Sequence, residues 1–265
     1  MNAAATQVGR RSRGRSLPVP ALDYWLLTAA LVLLGMGLVM VASASMPVAD
    51  RNFDAPFHYV IRHGIALSLG LISALALVQV PVAWWEKSGG PLLFLGLVLL
   101  VLVLVPGLGR TVNGATRWIP LGPFNLQSSE FMKFFTVIYL SGYLVRRSEE
   151  VSNKLSGFLK PMLLMGIASA LIMAQPDFGT TAVILATVLG LLFLGGVPVW
   201  QFGALLGTVA AALAALILAE PYRLQRITSF LNPWDDPFGS GFQLIQALIA
   251  FGRGEWLGVG LGNGI

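Results

Sequence analysis

Apolar and polar positions alternate along this chain in long blocks rather than at helix-surface or strand spacing. After a polar start, an uninterrupted apolar run extends from about Tyr24 to Val41. Further runs cover roughly Ile65–Val80, Pro91–Val105, Phe131–Val145, Pro161–Ala174, Thr180–Val197 and Phe202–Ala219. About 20 residues rising 1.5 Å each cross the hydrocarbon core of a bilayer. Each run is close to that length, so the pattern predicts an all-α, polytopic transmembrane bundle with seven spans. A basic start, an apolar run and the Ala42-Ser43-Ala44 stretch imitate a secretory signal peptide. The run exceeds the usual ~7–15 residues and more spans follow, so it reads as a first transmembrane helix.

Composition supports lipid as the solvent. Of 265 residues, 56% are hydrophobic and 11% charged; a soluble domain carries about 25% charged residues. The net charge of +5 comes from short basic clusters between apolar runs, which suits membrane topology rather than nucleic acid. With no cysteine, disulfides and thiolate sites are excluded. Residues 1–22, with Arg10, Arg11, Arg13 and Arg15, read as a disordered basic tail. Residues 23–265 read as one membrane domain with a large loop over 220–265. The positive-inside tendency puts the N-terminus and the Arg146–Lys160 connection in the cytoplasm. Several arginines then face the outer surface, where an anionic ligand would account for them. Trp25, Trp84, Trp85, Trp118 and Trp200 fall near segment ends, as an interfacial belt requires. No soluble domain and no internal repeat is visible. The glycine-rich end, Gly254–Ile265, reads as an interrupted chain.

Three connecting stretches concentrate the chemistry. In Gly109–Lys133, Asn113-Gly114 and Leu121-Gly122-Pro123 are turn signals. Ser128 or Ser129 can cap the following helix, and Glu130 suits its first turn. Glu130 and Lys133 are three apart and can pair on one face; alternatively Arg117 and Lys133 present charge to an anion. In Gln175–Thr180, Asp177 is either an N-cap or a carboxylate at membrane depth with a functional partner, and these readings are compatible. In Glu220–Gln246, Pro221 suits a first helical turn. Arg223 and Arg226 then share a face of a short amphipathic helix. Asn232-Pro233 and Asp236-Pro237 break the chain around Asp235 and Asp236, residues equally at home in a solvated turn. The apolar stretch from Phe242 to Phe251 is too short to span, and Gln243 and Gln246 share one face of it.

The segments RWIPLGPFNLQSSEFMK, AQPDFGT and LAEPYRLQRITSFLNPWDDPFGSGFQLIQALIAFGRGEWLGVGLGNG resemble the SEDS (FtsW/RodA) family of polytopic membrane proteins, in its division-specific form. The likeness covers nearly the whole chain after the basic tail. It departs from the family pattern at Ser128-Ser129, where a pair containing Pro is commoner, and at Phe242, where Tyr is usual. The resemblance implies about ten transmembrane helices, seven of them present here. It also implies polymerisation of lipid II into septal glycan strands during bacterial cell division. Undecaprenyl diphosphate would leave, and a class B penicillin-binding protein and other divisome membrane proteins would be partners. The setting would be the inner membrane. Family motifs place a required carboxylate at Asp236, the Gln-Pro-Asp carboxylate at Asp177, and the earlier Arg, Glu and Lys at Arg117, Glu130 and Lys133.

On this likeness Asp236 is the expected catalytic base, taking a proton from the attacking sugar hydroxyl. Arg117, Lys133, Arg223 and Arg226 are expected to face the diphosphate, with Glu130, Asp177 and Gln243 as further substrate-binding candidates. A divalent cation such as Mg2+ on Asp177 or Asp236 could share the task, although no metal-ligand spacing is recognisable. Two other functions fit the same residues: a lipid II flippase, or a non-catalytic divisome scaffold.

Overall fold

The computed structural model describes residues 23–112, 114–122, 124–256 and 258–260. The basic tail 1–22, Asn113, Pro123 and the last residues of the glycine-rich end lie outside the described residues. The chain divides into two compact units, one of residues 1–71 with 248–265 and the other of residues 72–247.

The smaller unit is built on α1 (Tyr24–Phe53) and the first part of α2 (His58–Val78). Asp23 caps α1, its Oδ1 accepting from the Trp25 and Leu26 amides at 3.0 and 3.1 Å, which occupies two of the helix's orphan donors. The helix ends at Asp54, whose φ of 53° reverses the backbone. The apolar run stops at Val41, but the helix continues through Pro47 for another turn and more. The alanines and methionine beyond Val41 are good helix formers and carry the helix on. Tyr24, Trp25, Leu33, Met36 and Met40 are exposed on α1, as are Ile61, Ile72 and Leu75 on α2. Such surfaces are tolerable in lipid and not in water.

The larger unit has a four-helix core of α3 (Val82–Leu104), α4 (Ser128–Arg146), α6 (Leu155–Ala174) and α7 (Phe178–Leu194). The short α5 (Ser148–Asn153) joins α4 to α6. Buried positions recur at helical spacing: Thr181, Ile184, Val188 and Leu192 on α7, and Met132, Thr136, Leu140 and Tyr143 on α4. Residues three and four apart share a face, so each helix turns one stripe inward. Gly89 and Gly96 lie on the stripe of α3 that meets α4. A Cβ at Gly89 would stand 3.1 Å from the Tyr139 Cα, and one at Gly96 would stand 2.8 Å from the Met132 sulfur. Small residues of this kind let membrane helices approach closely. α8 (Val199–Leu218) packs on α7 and carries α9 (Pro221–Leu231) at its end. α10 (Phe242–Gly254) follows a short 3-10 turn at Pro233–Asp235.

Seven long helices therefore stand where seven apolar runs were read. Five of them (α1, α2, α3, α6 and α8) are long and apolar enough to cross a membrane by length and composition. α7 is apolar but has 17 residues, and α4 carries Glu130, Lys133 and Arg146. α3 and α6 begin before the apolar runs do, with Pro91 and Pro161 inside them rather than at their starts. The molecule is a polytopic transmembrane helical bundle and an integral membrane protein.

One element was not read from the pattern. Between α3 and α4 the chain forms an antiparallel meander of β1 (Arg110–Val112), β2 (Ala115–Leu121) and β3 (Phe124–Gln127), in that order. Trp118 pairs with Gln127 and Ile119 with Leu126. Of the two turn signals, Gly114 lies between β1 and β2 and Gly122 between β2 and β3, with φ of 76° and 62°, a region that glycine enters at little cost. The expected cap of α4 is corrected. Gln127 occupies the cap position without a side-chain cap bond, and Ser128 and Ser129 lie buried inside the first turn.

Candidate functional site

The site is assembled from the ends of α3, α6 and α8, which helix alternation within the larger unit brings to the same end of the bundle. At the α6–α7 turn, Gln175 is fully buried and its Nε2 donates to the Leu100 carbonyl of α3 at 3.1 Å. Asp177 follows and caps α7: Oδ1 accepts from the Thr180 amide at 3.2 Å and Oδ2 from the Thr180 hydroxyl at 2.8 Å. The Asp177 carbonyl accepts from the Thr181 hydroxyl at 2.9 Å. Arg117 reaches this turn from β2. Its Nη1 lies 3.8 Å from Asp177 Oδ1, its Nε donates to the Gln175 carbonyl at 3.4 Å, and its Nη2 donates to the Pro176 carbonyl. Asp177 is thus both cap and ion-pair partner, and the partner is Arg117 rather than Lys133.

α9 closes the other side. Pro221 occupies its first turn, where a missing N–H costs nothing. The Arg223 guanidinium donates to the Leu216 carbonyl near the end of α8 at 2.7 Å and lies 5.7 Å from the Phe178 ring centre. The Arg226 guanidinium lies 4.6 Å from the Tyr222 ring centre, one helical turn back. Both are cation–π geometries.

Together these groups enclose a cavity of about 540 Å³. Arg117, Arg223 and Arg226 line it with the carboxylates Asp177 and Glu220. Three guanidinium groups against two carboxylates leave a net positive charge. Arginine's planar fork fits phosphate oxygens in pairs. An anion with several oxygens suits this lining.

A second cavity of about 540 Å³ lies on the other side of α9, and Tyr222 and Arg226 line both. Its remaining walls include Gln225, Ser229, Ser240 and Gln243, with the rings of Phe230, Phe238 and Phe242. Amides and hydroxyls beside aromatic faces form a lining that suits a polyhydroxylated ring.

Asp236 sits at the edge of this second cavity without lining it. Its Oδ2 accepts from the Ser240 amide at 2.8 Å and from the Ser240 hydroxyl at 3.0 Å. Its carbonyl accepts from the Gly241 amide at 3.0 Å. The Ser240 amide is the main reason its carboxyl is held below the ordinary aspartate value. The Ser240 hydroxyl acts in the same direction, a small loss of hydration opposes both although the residue is exposed, and the Gly239 amide adds a smaller pull downward. A carboxylate favoured by donors in this way stays ionised at neutral pH. The adjacent Asp235 accepts from the Asn232 amide at 2.7 Å, the turn role foreseen for aspartate beside proline.

The expected site residues therefore fall into three groups. Arg117, Asp177, Arg223 and Arg226 meet in the first cavity. Gln243 lines the second, with Asp236 behind Ser240. Glu130 and Lys133 pair with each other at 2.7 Å on α4 and line neither cavity. Glu220, Tyr222, Phe178, Ser229 and Ser240 were not singled out from the sequence. The i, i+4 spacing of Tyr222 and Arg226 was the available signal for two residues of that wall.

For a divalent cation the donor set around Asp177 does not fit. Among the described residues no three of His, Cys, Asp or Glu gather. Both Asp177 oxygens are engaged by Thr180 and Arg117, and three arginines share the cavity it lines. No step is assigned to a metal.

The comparisons with known proteins agree with the fold. A multi-span bundle with a charged loop at one end defines a class of polytopic integral membrane protein. Residues 24–265 match the FtsW/RodA/SpoVE family described as cell cycle protein, and the chain belongs to that family. It is 60% identical over 244 residues to the "Probable peptidoglycan glycosyltransferase FtsW" of Allochromatium vinosum, an alignment covering 92% of this chain and 61% of that protein. Among solved structures, a chain from work on structural coordination of polymerization and crosslinking by a peptidoglycan synthase complex is 32% identical. It has a TM-score of 0.63 over 84% of this chain and 64% of its own. The Thermus thermophilus rod shape determining protein RodA is 30% identical, with a TM-score of 0.62 over 75% of this chain and 60% of its own. The chain spans 61–65% of the length of the first FtsW relatives it matches.

Proposed function

We propose that this chain carries the catalytic end of a peptidoglycan glycosyltransferase that polymerises lipid II into septal glycan strands. The observation that carries the proposal is the three-arginine cavity set beside the Asp236 loop, in a chain 60% identical to a protein of that name. Joining two lipid-linked disaccharides requires a sugar hydroxyl to attack an anomeric carbon while undecaprenyl diphosphate leaves. The hydroxyl is a poor nucleophile until a base receives its proton. Asp236 is that base, and the donors on its Oδ2 keep it ionised and ready to accept. The leaving diphosphate gathers negative charge, which Arg117, Arg223 and Arg226 stabilise in place. Asp177 fixes Arg117, and Gln243 offers an amide to the sugars in the adjoining cavity. Glu130 and Lys133 serve the same end of the bundle as a local pair at the start of α4.

The arginines gather at one end of the bundle, in β2 and α9, which favours chemistry at the membrane surface over carriage of a headgroup through it. The whole protein sits in the bacterial inner membrane at the septum, with its N-terminus cytoplasmic. A class B penicillin-binding transpeptidase and other divisome membrane proteins are its partners. The test is glycan formation from labelled lipid II by purified protein. Asp236→Asn should bind lipid II and make no glycan. Full polymerisation by that variant removes Asp236 from the mechanism.

A further inference from the structure

Asp236 does not line the cavity in which a sugar would sit; two serines stand between. Ser229, on α9, donates its hydroxyl to Ser240 Oγ at 2.6 Å, and Ser240 donates to Asp236 Oδ2 at 3.0 Å. Both serines line the second cavity. A serine within a helix commonly turns its hydroxyl back to a carbonyl of the preceding turn. Thr228 does so, donating to the Gln225 carbonyl at 3.0 Å. Ser229 instead reaches across to a residue eleven positions on. Its donor is spent on Ser240, which leaves its lone pairs to accept. The Ser240 amide also bonds Asp236 Oδ2 at 2.8 Å, so the turn is closed without the hydroxyls. They form an additional, directional chain from the cavity to the carboxylate.

We propose that Ser229 and Ser240 conduct the proton from the attacking sugar hydroxyl to Asp236. This rests on the glycosyltransferase reading above. The sugar oxygen bonds to the anomeric carbon of the donor as its O–H bond breaks. The proton passes to Ser229 Oγ, the Ser229 proton to Ser240 Oγ, and the Ser240 proton to Asp236 Oδ2. The bond from the anomeric carbon to the diphosphate oxygen breaks, and its electron pair leaves with the diphosphate. Asp236 then gives its proton to water, and rotation of the two hydroxyls restores the starting chain. Ser229 is thus a catalytic residue that touches substrate, and Ser240 links it to the base.

The experiment is single-turnover formation of the first glycosidic bond from labelled lipid II by the full-length purified protein. Wild type, Ser229→Ala and Ser229→Thr are compared in mixtures of H2O and D2O. Ser229→Ala should slow bond formation about 10- to 100-fold, a fraction of a typical general-base contribution, a far larger change than any in lipid II affinity. Ser229→Thr keeps the hydroxyl and should restore the rate to within about threefold of wild type. Wild type should show a curved dependence on deuterium fraction, because several protons move together. Ser229→Ala should show a linear one. Ser229→Ala turning over like wild type, or a linear wild-type dependence, overturns the relay and leaves the polymerase reading standing. No glycan from wild type overturns the reading and the relay together. Should Ser229→Ala fold poorly, the Ser229→Thr rate and the wild-type deuterium dependence decide.

Discussion

Asp177 serves as both helix cap and ion-pair partner, and two substitutions separate these roles. Asp177→Ala removes the cap bond from the Thr180 amide, the bond from the Thr180 hydroxyl and the contact with Arg117. An N-cap is worth about 1 kcal/mol, and the bond from the Thr180 hydroxyl, only part-buried and so below the ~1.5–3 of a buried bond to a charged group, about 1. The Arg117 contact is long at 3.8 Å, and the arginine is about one-third exposed, so it adds about 0.5 kcal/mol. The sum is about 2.5 kcal/mol. At about 2–4 °C per kcal/mol for a chain of this size, Asp177→Ala should lower the melting temperature in detergent by about 5–10 °C. Asparagine caps about as well as aspartate, so Asp177→Asn should lose chiefly the charge and fall by about 1–2 °C. In the Asp177→Ala background Arg117→Ala should cost only its bonds to the Gln175 and Pro176 carbonyls, because the shared contact is already gone. The assay is thermal unfolding of the purified protein followed by size-exclusion profile. Equal losses for Asn and Ala would refute the assignment, since the cap would then contribute nothing and the ion pair everything.

Three other outcomes follow from the same coordinates. A Cβ at Gly241 would meet the Pro233 carbonyl at 2.2 Å and the Asp236 carbonyl at 2.8 Å. These are backbone atoms that cannot swing aside, so Gly241→Ala should open the 232–241 loop to proteolysis and abolish glycan synthesis. Gly89→Ala should lower thermal stability, because the added methyl meets the α4 backbone at Tyr139, whereas Gly90→Ala, with open space around it, should leave it unchanged or raised. Asp236 is held below its ordinary value of 3.8. Its carboxylate therefore contributes stability above that unfolded value, and the contribution is lost as pH falls through the lower folded value. Carboxyl NMR should show Asp236 protonating below pH 3.8, and glycan synthesis should show no Asp236 titration near neutrality.

The helices were legible because lipid demands long apolar stretches and forgives little else. Their ends were less so: α1 runs twelve residues past its apolar run, to Phe53. Alanine, methionine and arginine continue a helix that a count of apolar positions ends too soon. The Asp177 cap and the Pro221 helix start are local, decided within four residues, and the sequence displayed both. The cap of α4 is also local, yet Ser128 and Ser129 were drawn into the buried face, which apolar counting does not foresee. The β-meander escaped notice because its three strands are short and only its turns carry strong signals. Arg117 meets Gln175 and Pro176 across nearly sixty residues of chain, and Ser229 meets Ser240 across a turn. Both contacts depend on packing. Motif resemblance supplied Asp236, Asp177 and Arg117 as candidates, but not that Arg117 and Asp177 would line one cavity beside α9 while Gln243 and Ser240 line another.

The most direct measurement is glycan chain length on gels after incubating labelled lipid II with the purified protein. Wild type is compared with Asp236→Asn and with Arg223→Ala/Arg226→Ala. The account predicts polymer from wild type, none from Asp236→Asn, and strongly reduced product from the double arginine variant with the fold intact. Polymer of wild-type length from Asp236→Asn would contradict it.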